Sequence, residues 1–229
     1  MLPDFELCCD KFNENALNLT DENYQKLDRY AELLIEWNEK INLTAITQPD
    51  EVLTKHFIDS ILLCKVTEIP EGASLIDVGT GAGFPSLPLK IYRPDLKVTL
   101  LDSLNKRINF LANVCDELDI EAELIHGRAE DVSKMSEYRE KFDISCARAV
   151  ANLSVLSELC LPFVNVGGRF LSMKGPTEDI DGSGSAIEIL GGRLNEVKSY
   201  SINGELRRLI IIDKISQTPT KYPRNSARI

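Results

Sequence analysis

The chain has 229 residues, of which 43% are hydrophobic and 27% charged, with a formal net charge of −10 at pH 7. That is apolar material for one large α/β domain with an added N-terminal piece, and no apolar run approaches the ~20 residues of a membrane helix. The acidic balance argues against unselective nucleic-acid binding, the acidic start Met1-Leu2-Pro3-Asp4-Phe5-Glu6 is not a signal peptide, and six cysteines without a CxxC pair read as reduced thiols of a cytoplasmic protein, not disulfides or a zinc site.

The charge is uneven. Residues 1–70 hold 14 acidic and 6 basic side chains, whereas residues 201–229 set Glu205 and Asp213 against Arg207, Arg208, Lys214, Lys221, Arg224 and Arg228. A basic end on an acidic body is either a local phosphate-binding surface or a solvated tail.

In chain order, the first predicted element is a helix over residues 20–41. Thr20 and Asp21 cap it, and Tyr24, Leu27, Ala31, Leu34, Trp37 and Ile41 recur at helical spacing. A second helix starts near Thr47-Gln48-Pro49-Asp50, with proline in its first turn, and runs to about Lys65. From Ala73 the pattern changes. Short apolar runs at Leu75–Val78, Val98–Leu101, Ala122–Ile125, Phe142–Cys146 and Arg169–Met173 alternate with helical stretches near Pro85–Tyr92, Lys106–Leu118 and Leu153–Val164. That alternation predicts a parallel sheet covered by helices on both faces. Val197–Ile202 and Leu206–Ile215 close the chain around Asn203-Gly204, a two-residue hairpin signal. The fold expected is α/β and Rossmann-like, of the methyltransferase variety: a mostly parallel seven-stranded sheet with an antiparallel C-terminal hairpin. Residues 1–70 are read as a helical extension and 71–229 as the ligand-binding domain.

The central motif is Asp77-Val78-Gly79-Thr80-Gly81-Ala82-Gly83-Phe84-Pro85, placed after a strand and before a helix. Glycines there allow a tight turn and a close ligand approach. A dinucleotide site wants a small residue where this chain has Phe84, and Asp77 would repel a pyrophosphate. S-adenosylmethionine (SAM) instead presents an ammonium and a sulfonium, which a carboxylate favours. Asp77, Gly79, Thr80, Gly81, Gly83 and Phe84 are therefore candidate SAM-binding residues, with loop capping as the alternative for Asp77. Asp102, at the end of the second strand, is a candidate for the ribose hydroxyls and also for a helix cap. Ala129 and Glu130, in the turn after the third strand, are candidates for the adenine edge.

Six segments in order resemble one family: Asn42-Leu43-Thr44-Ala45-Ile46, His56-Phe57-Ile58-Asp59-Ser60, the Asp77–Pro85 loop, Ala147-Arg148-Ala149, Met173-Lys174-Gly175 and Lys221-Tyr222-Pro223-Arg224. They are similar to motifs of the bacterial 16S ribosomal RNA guanine-N7 methyltransferases, the glucose-inhibited division protein B family, from about residue 20 to the C-terminus. The resemblance implies SAM contacts at Gly79, Phe84, Ala129, Glu130 and Arg148, and a guanine in small-subunit RNA or its ribosomal particle as target. Ser86 stands where the family often has glycine, and the chain stops soon after the Pro-Arg segment.

The chemistry agrees with that resemblance. Guanine N7 carries a lone pair and no proton, so its methylation needs no general base. Cys146-Ala147-Arg148-Ala149 stands where amino-methyltransferases place an Asn/Asp-Pro-Pro-aromatic motif, and Cys146 lacks the proline of a carbon-5 nucleophile. Arg148 is the candidate catalytic residue, gripping phosphate, stacking on a base or reaching guanine acceptors; an ion pair is the alternative. Lys174, Arg207, Lys221 and Arg224 are the candidate RNA contacts. His56 and Asp59, three apart on a helix, are assigned a structural or RNA-positioning role. No metal or membrane is expected, and the protein is expected to act as a monomer. Competing readings are a SAM methyltransferase of another RNA site or a small molecule, and a non-catalytic SAM-binding regulator. An NAD dehydrogenase is disfavoured by Asp77 and Phe84.

Overall fold

The computed structural model describes residues 1–148, 151–177 and 180–225. Ala149 of the fourth motif and Arg228 of the basic end lie outside the described residues. Seven strands form one sheet: β1 (Ser74–Val78), β2 (Lys97–Asp102), β3 (Glu123–His126), β4 (Phe142–Arg148), β5 (Val164–Lys174), β6 (Gly192–Ile202) and β7 (Glu205–Lys214), in the order β3-β2-β1-β4-β5-β7-β6. The first five are parallel, and β7 runs antiparallel to both β5 and β6. Asn203 and Gly204, with φ of 50° and 77°, make the tight turn of that last hairpin. The expected sheet and hairpin are both present.

The helices are α1 (Phe5–Glu14), α2 (Asp21–Asn38), a composite α3, α4 (Ser86–Tyr92), α5 (Asn105–Leu118), α6 (Ala129–Val132), α7 (Leu153–Cys160) and α8 (Gly184–Ile189). α3 joins Pro49–Glu51, a π-helical stretch Val52–Ile58, Asp59–Ile61 and, after Leu62, Leu63–Val66. α1, not anticipated from the sequence, is ten residues long and capped by Asp4, whose carboxylate accepts from the Leu7 amide at 2.9 Å. It buries Cys8 and Phe12. α2 starts where Thr20 accepts from the Asn23 amide at 3.2 Å, and it buries Leu27, Tyr30, Ala31, Leu33 and Leu34.

Strand alternation divides the core between the two faces of the sheet. One face carries α1–α5 over Leu75, Leu100, Ile144 and Leu171 in a single apolar cluster. The other carries α6–α8 over Ile76, Leu101, Phe170 and Ile210. The N-terminal helices thus share a core with α4 and α5. β1 and β4 are neighbours whose following helices lie on opposite faces, so the chain reverses its winding there. Loops at such a point leave a crevice at the carboxyl ends of the strands.

Candidate functional site

The glycine loop fills one side of that crevice. Gly79, Gly81 and Gly83 have φ of 73°, 62° and 92°, a region that side chains with a Cβ avoid. Gly79 and Gly81 line an open cavity of about 470 Å³ together with Thr80, Phe84, Asp102 and Arg148. A Cβ on Gly81 would meet nothing nearer than the Gly79 oxygen at 4.0 Å. At Gly83 a Cβ would lie 2.4 Å from the Tyr30 hydroxyl and 2.9 Å from Leu87. Gly83, expected among the ligand contacts, therefore serves packing instead. It lets α2 approach the loop closely enough for the buried Tyr30 phenol to donate to the Ala82 carbonyl.

Asp77 also lies elsewhere than expected. It is 1% exposed, beneath the loop and outside the cavity wall, and Oδ2 accepts from the Thr80 hydroxyl at 2.9 Å. Burial pushes its carboxyl up to about 7, opposed by hydrogen bonds from Ser86 and Thr80. Its reach toward a ligand runs through Thr80 and the loop. Asp102 keeps both anticipated roles open. Oδ1 accepts from the Leu104 amide at 2.9 Å, and Oδ2 accepts from the Gly81 amide at 2.9 Å and from Arg107 at 3.2 Å. A carboxylate offers about four acceptor positions, so one remains on Oδ1. Asp102 thus ties the glycine loop to the start of α5.

An adjoining cavity of about 140 Å³ shares Gly79 and Asp102 and adds Gly127, Ala129, Glu130 and Leu156. Glu130 is 7% exposed, and its buried Oε1 makes no hydrogen bond; the nearest cation, on Arg128, is 3.7 Å away. A buried acceptor without a donor is costly, and a ligand N–H or O–H would satisfy it.

Arg148 ends β4 on the opposite side of the crevice. Its Nη1 donates to the Lys55 carbonyl at 3.1 Å and lies 3.4 Å from Asp59 Oδ2, while Nη2 lies 3.2 Å from His56 Nδ1. The π-helical stretch of α3 supplies Lys55 and His56 to this cage; such stretches recur at functional sites. Arg148 also lies over the Phe84 ring at 4.9 Å, and His56 stacks on the same ring at 4.4 Å. Because Arg148 can only donate, His56 Nδ1 accepts and Nε2, 2.9 Å from the Thr44 hydroxyl, carries the hydrogen. Burial, with Arg148 beside it, lowers the imidazole to about 3, so it is neutral at pH 7. Burial raises the Asp59 carboxyl, opposed by Arg148 and by Tyr200, whose hydroxyl donates to Oδ1 at 3.1 Å.

Beyond Arg148 lies a further cavity of about 310 Å³, which shares His56 and Arg148 with the glycine-loop cavity. Asp59, Tyr200, Lys55, Lys174 and Arg207 line it. A model of the family described as rRNA small subunit methyltransferase G matches residues 23–210. The chain belongs to this family. The ribosomal RNA small subunit methyltransferase G of Clostridium perfringens is 48% identical over 98% of this chain and 96% of its own. The protein of the same name from Alkaliphilus metalliredigens is 50% identical over 94% and 92%. Among solved structures, a SAM-dependent methyltransferase from Aquifex aeolicus is similar over 81% of this chain and 97% of its own, with a TM-score of 0.55 and 16% identity, which speaks to the fold alone. The family expected from the motif series and the expected fold both stand.

In this member of the rRNA small subunit methyltransferase G family, the basic C-terminal end is not one surface. Arg207 lines the 310 Å³ cavity while paired with Glu205, Nη2 to Oε2 at 2.6 Å. Lys214 is buried, donating to the Leu161 carbonyl at 2.8 Å, and burial lowers it to about 8. Arg224 is engaged by Glu158 of α7, with Nη2 to Oε2 at 2.6 Å, and the neighbouring Tyr222 packs on the α6–α8 face. Lys221 lies over the Tyr222 ring at 5.3 Å. The structure therefore separates Lys221 and Arg224, expected beside Arg207 on RNA, from the cavity by the width of the sheet. Lys174 is 8% exposed and donates to the Ala151 carbonyl, yet it still lines the cavity. Sequence reasoning missed Tyr30, Lys55, Arg107 and Tyr200. Tyr200 alternates with strand residues and gave no signal beyond β-propensity.

Proposed function

We propose that the chain transfers the methyl group of SAM to N7 of a guanine in small-subunit (16S) ribosomal RNA. The observation that carries this reading is the pair of cavities joined at Arg148 and His56: one is walled by the glycine loop, the other is rimmed by Lys55, Lys174 and Arg207. The first fits SAM by its residues. Gly81 leaves room against the backbone, Gly79 lines both this cavity and the adjoining 140 Å³ one, Asp102 has an acceptor position for a ribose hydroxyl, and the Glu130 oxygen that makes no hydrogen bond meets the donors of a nucleoside. When bound, SAM would supply an electrophilic methyl on a positively charged sulfur, the N7 lone pair forming the N–C bond as the C–S electron pair leaves with sulfur.

The protein's own work is then placement. N7 has no proton to remove, and a His56 held neutral without a free ring nitrogen agrees with a reaction that has no general base. Arg148, fixed by Lys55, His56, Asp59 and the Phe84 ring, presents a rigid donor at the junction of the cavities, where it can engage guanine O6. Well-aligned positioning supplies roughly 7–11 kcal/mol of barrier reduction. Arg207, Lys55 and Lys174 meet the RNA backbone. The chain acts as a monomer, in the cytoplasm, on the RNA or its ribosomal particle. The test is transfer of labelled methyl from SAM to small-subunit RNA lacking the modification, followed by nucleoside chromatography. Label in 7-methylguanosine is expected; label in another nucleoside, or in none, overturns the reading.

A further inference from the structure

The cavity beyond Arg148 has an asymmetric wall. Among the described residues lining it, four are cationic (Lys55, Arg148, Lys174 and Arg207), and Asp59 supplies the single carboxylate. His56 offers no acceptor there, since Nδ1 faces Arg148 and Nε2 faces Thr44. Asp59 is 5% exposed and comes from α3, yet it is held from across the molecule by Tyr200 on β6 and Arg148 on β4. Those two contacts, at 3.1 and 3.4 Å, occupy one position on each oxygen, and a carboxylate has about two per oxygen.

Each base presents a different edge to such a wall. Guanine carries two acceptors, N7 and O6, beside two donors, N1–H and the 2-amino group. Adenine carries a bare N1 where guanine has N1–H, so its lone pair would face the carboxylate. Pyrimidines have no N7. One fixed carboxylate beside cationic donors fits the adjacent N1–H and 2-amino donors of guanine, with a donor left for O6.

We propose that Asp59 selects the target base, accepting the N1–H and 2-amino hydrogens of guanine while Arg148 meets O6. This rests on the reading of the cavity as the target-base site. It also gives Asp59 a part in the rate: methyl transfer moves positive charge onto the base, and a carboxylate on its N1–H stabilises that charge as it develops. Tyr200 is a positioning residue, orienting the carboxylate.

The experiment compares small-subunit RNA carrying guanosine or inosine at the methylated position, with wild type, Asp59→Asn and Tyr200→Phe, at saturating SAM. Inosine keeps N7, O6 and N1–H and lacks only the 2-amino group. Wild type is expected to prefer guanosine by about 10- to 150-fold in kcat/KM, the range for losing one hydrogen bond to a charged acceptor. In Asp59→Asn the preference is expected to fall to within about threefold, with SAM affinity unchanged; Tyr200→Phe keeps the preference at a lower rate. If wild type treats the two substrates alike, the 2-amino group is not read and the proposal fails. If Asp59→Asn slows both substrates equally and leaves their ratio intact, Asp59 only anchors Arg148, and the proposal again fails. Should Asp59→Asn not bind SAM, Asp59→Glu moves the carboxylate by one methylene and is expected to shift the same ratio; an unmoved ratio there is equally fatal. A wild type that forms no 7-methylguanosine at all would instead overturn the underlying reading.

Discussion

The two cavities that meet at Arg148 are built on different principles. The first, with the 140 Å³ cavity that adjoins it, is walled by the glycine loop and two carboxylates: Gly79 and Gly81 at positive φ, Asp102 holding the Gly81 amide, and Glu130 with an empty acceptor, while Arg107 and Arg148 line its other side. Most of it comes from the turns after β1, β2 and β3, with Leu43, Thr44 and His56 added from the N-terminal segment and Arg148 from β4. The second is walled by long side chains from α3, β4, β5, β6 and β7, cationic at the rim with one carboxylate inside. It offers donors to a polyanion. On the proposed reading, cofactor recognition rests chiefly on local turns, and substrate recognition on tertiary assembly. The two differ in what a substitution can do, and four expected outcomes separate them.

The largest effect belongs to Arg148, one of the two residues they share. Arg148→Ala should lower single-turnover methyl transfer at saturating RNA and SAM by at least about 100-fold, the cost of misplacing reacting groups by about an ångström. SAM affinity by calorimetry should change far less, because the Gly81 turn is held by Asp102 and not by Arg148. An equal loss in both would merge the cavities into one site.

Next comes the cofactor side alone. Asp102→Ala removes the acceptor for the Gly81 and Leu104 amides and the partner of Arg107. A SAM dissociation constant weakened by roughly 10- to 150-fold is expected, with RNA binding intact by filter retention. Affinity within twofold of wild type would leave Asp102 as a loop tie only.

The substrate side should answer to salt. Neutralising Lys55 and Arg207 together should flatten the plot of log K for RNA against log salt by about 0.7–0.9 per lost phosphate contact. Neutralising Lys221 and Arg224, on the other face of the sheet, should leave that slope unchanged. The reverse pattern would move the RNA surface to the C-terminal tail.

The smallest effect lies beneath the glycine loop. Burial raises the Asp77 carboxyl from the ordinary carboxylate range to about 7. The folded protein therefore binds a proton that the unfolded chain releases near pH 4. The stability this provides is full below about pH 4 and is lost as pH rises through 7. Asp77→Asn, which keeps the shape and cannot ionise, should flatten the decline in Tm between about pH 4 and 7. A variant with the wild-type pH profile would show that Asp77 is ionised in the folded state throughout.

The same difference in construction explains what the sequence made legible. The strand–helix alternation, the Asn203-Gly204 hairpin and the Asp77–Pro85 loop are local patterns, and all are present in the fold. Asp102 and Glu130 could be placed because each ends or follows a strand of a recognisable unit. The individual glycines were not separable. Gly81 faces a cavity and Gly83 faces Tyr30, a residue 53 positions earlier, and periodicity carries no such pairing. Asp77 looked like a wall residue because the strand end was known and the depth of burial was not. The basic tail looked continuous in sequence, yet Lys214 is drawn inside and Arg224 is taken by Glu158. His56 and Asp59 were visible as a pair on one helix. Their common partner Arg148, about 90 residues on, and the more distant Tyr200 were not.

The most direct test of the joined cavities is a structure of the protein bound to S-adenosylhomocysteine and a small-subunit RNA fragment containing the target guanine. The account predicts the sulfur against Gly79 and Gly81, and the base between Arg148, Asp59 and Tyr200 with N7 facing the sulfur. A base seated anywhere else, with Arg148 and Asp59 still bound only to each other and to their present neighbours, would contradict it.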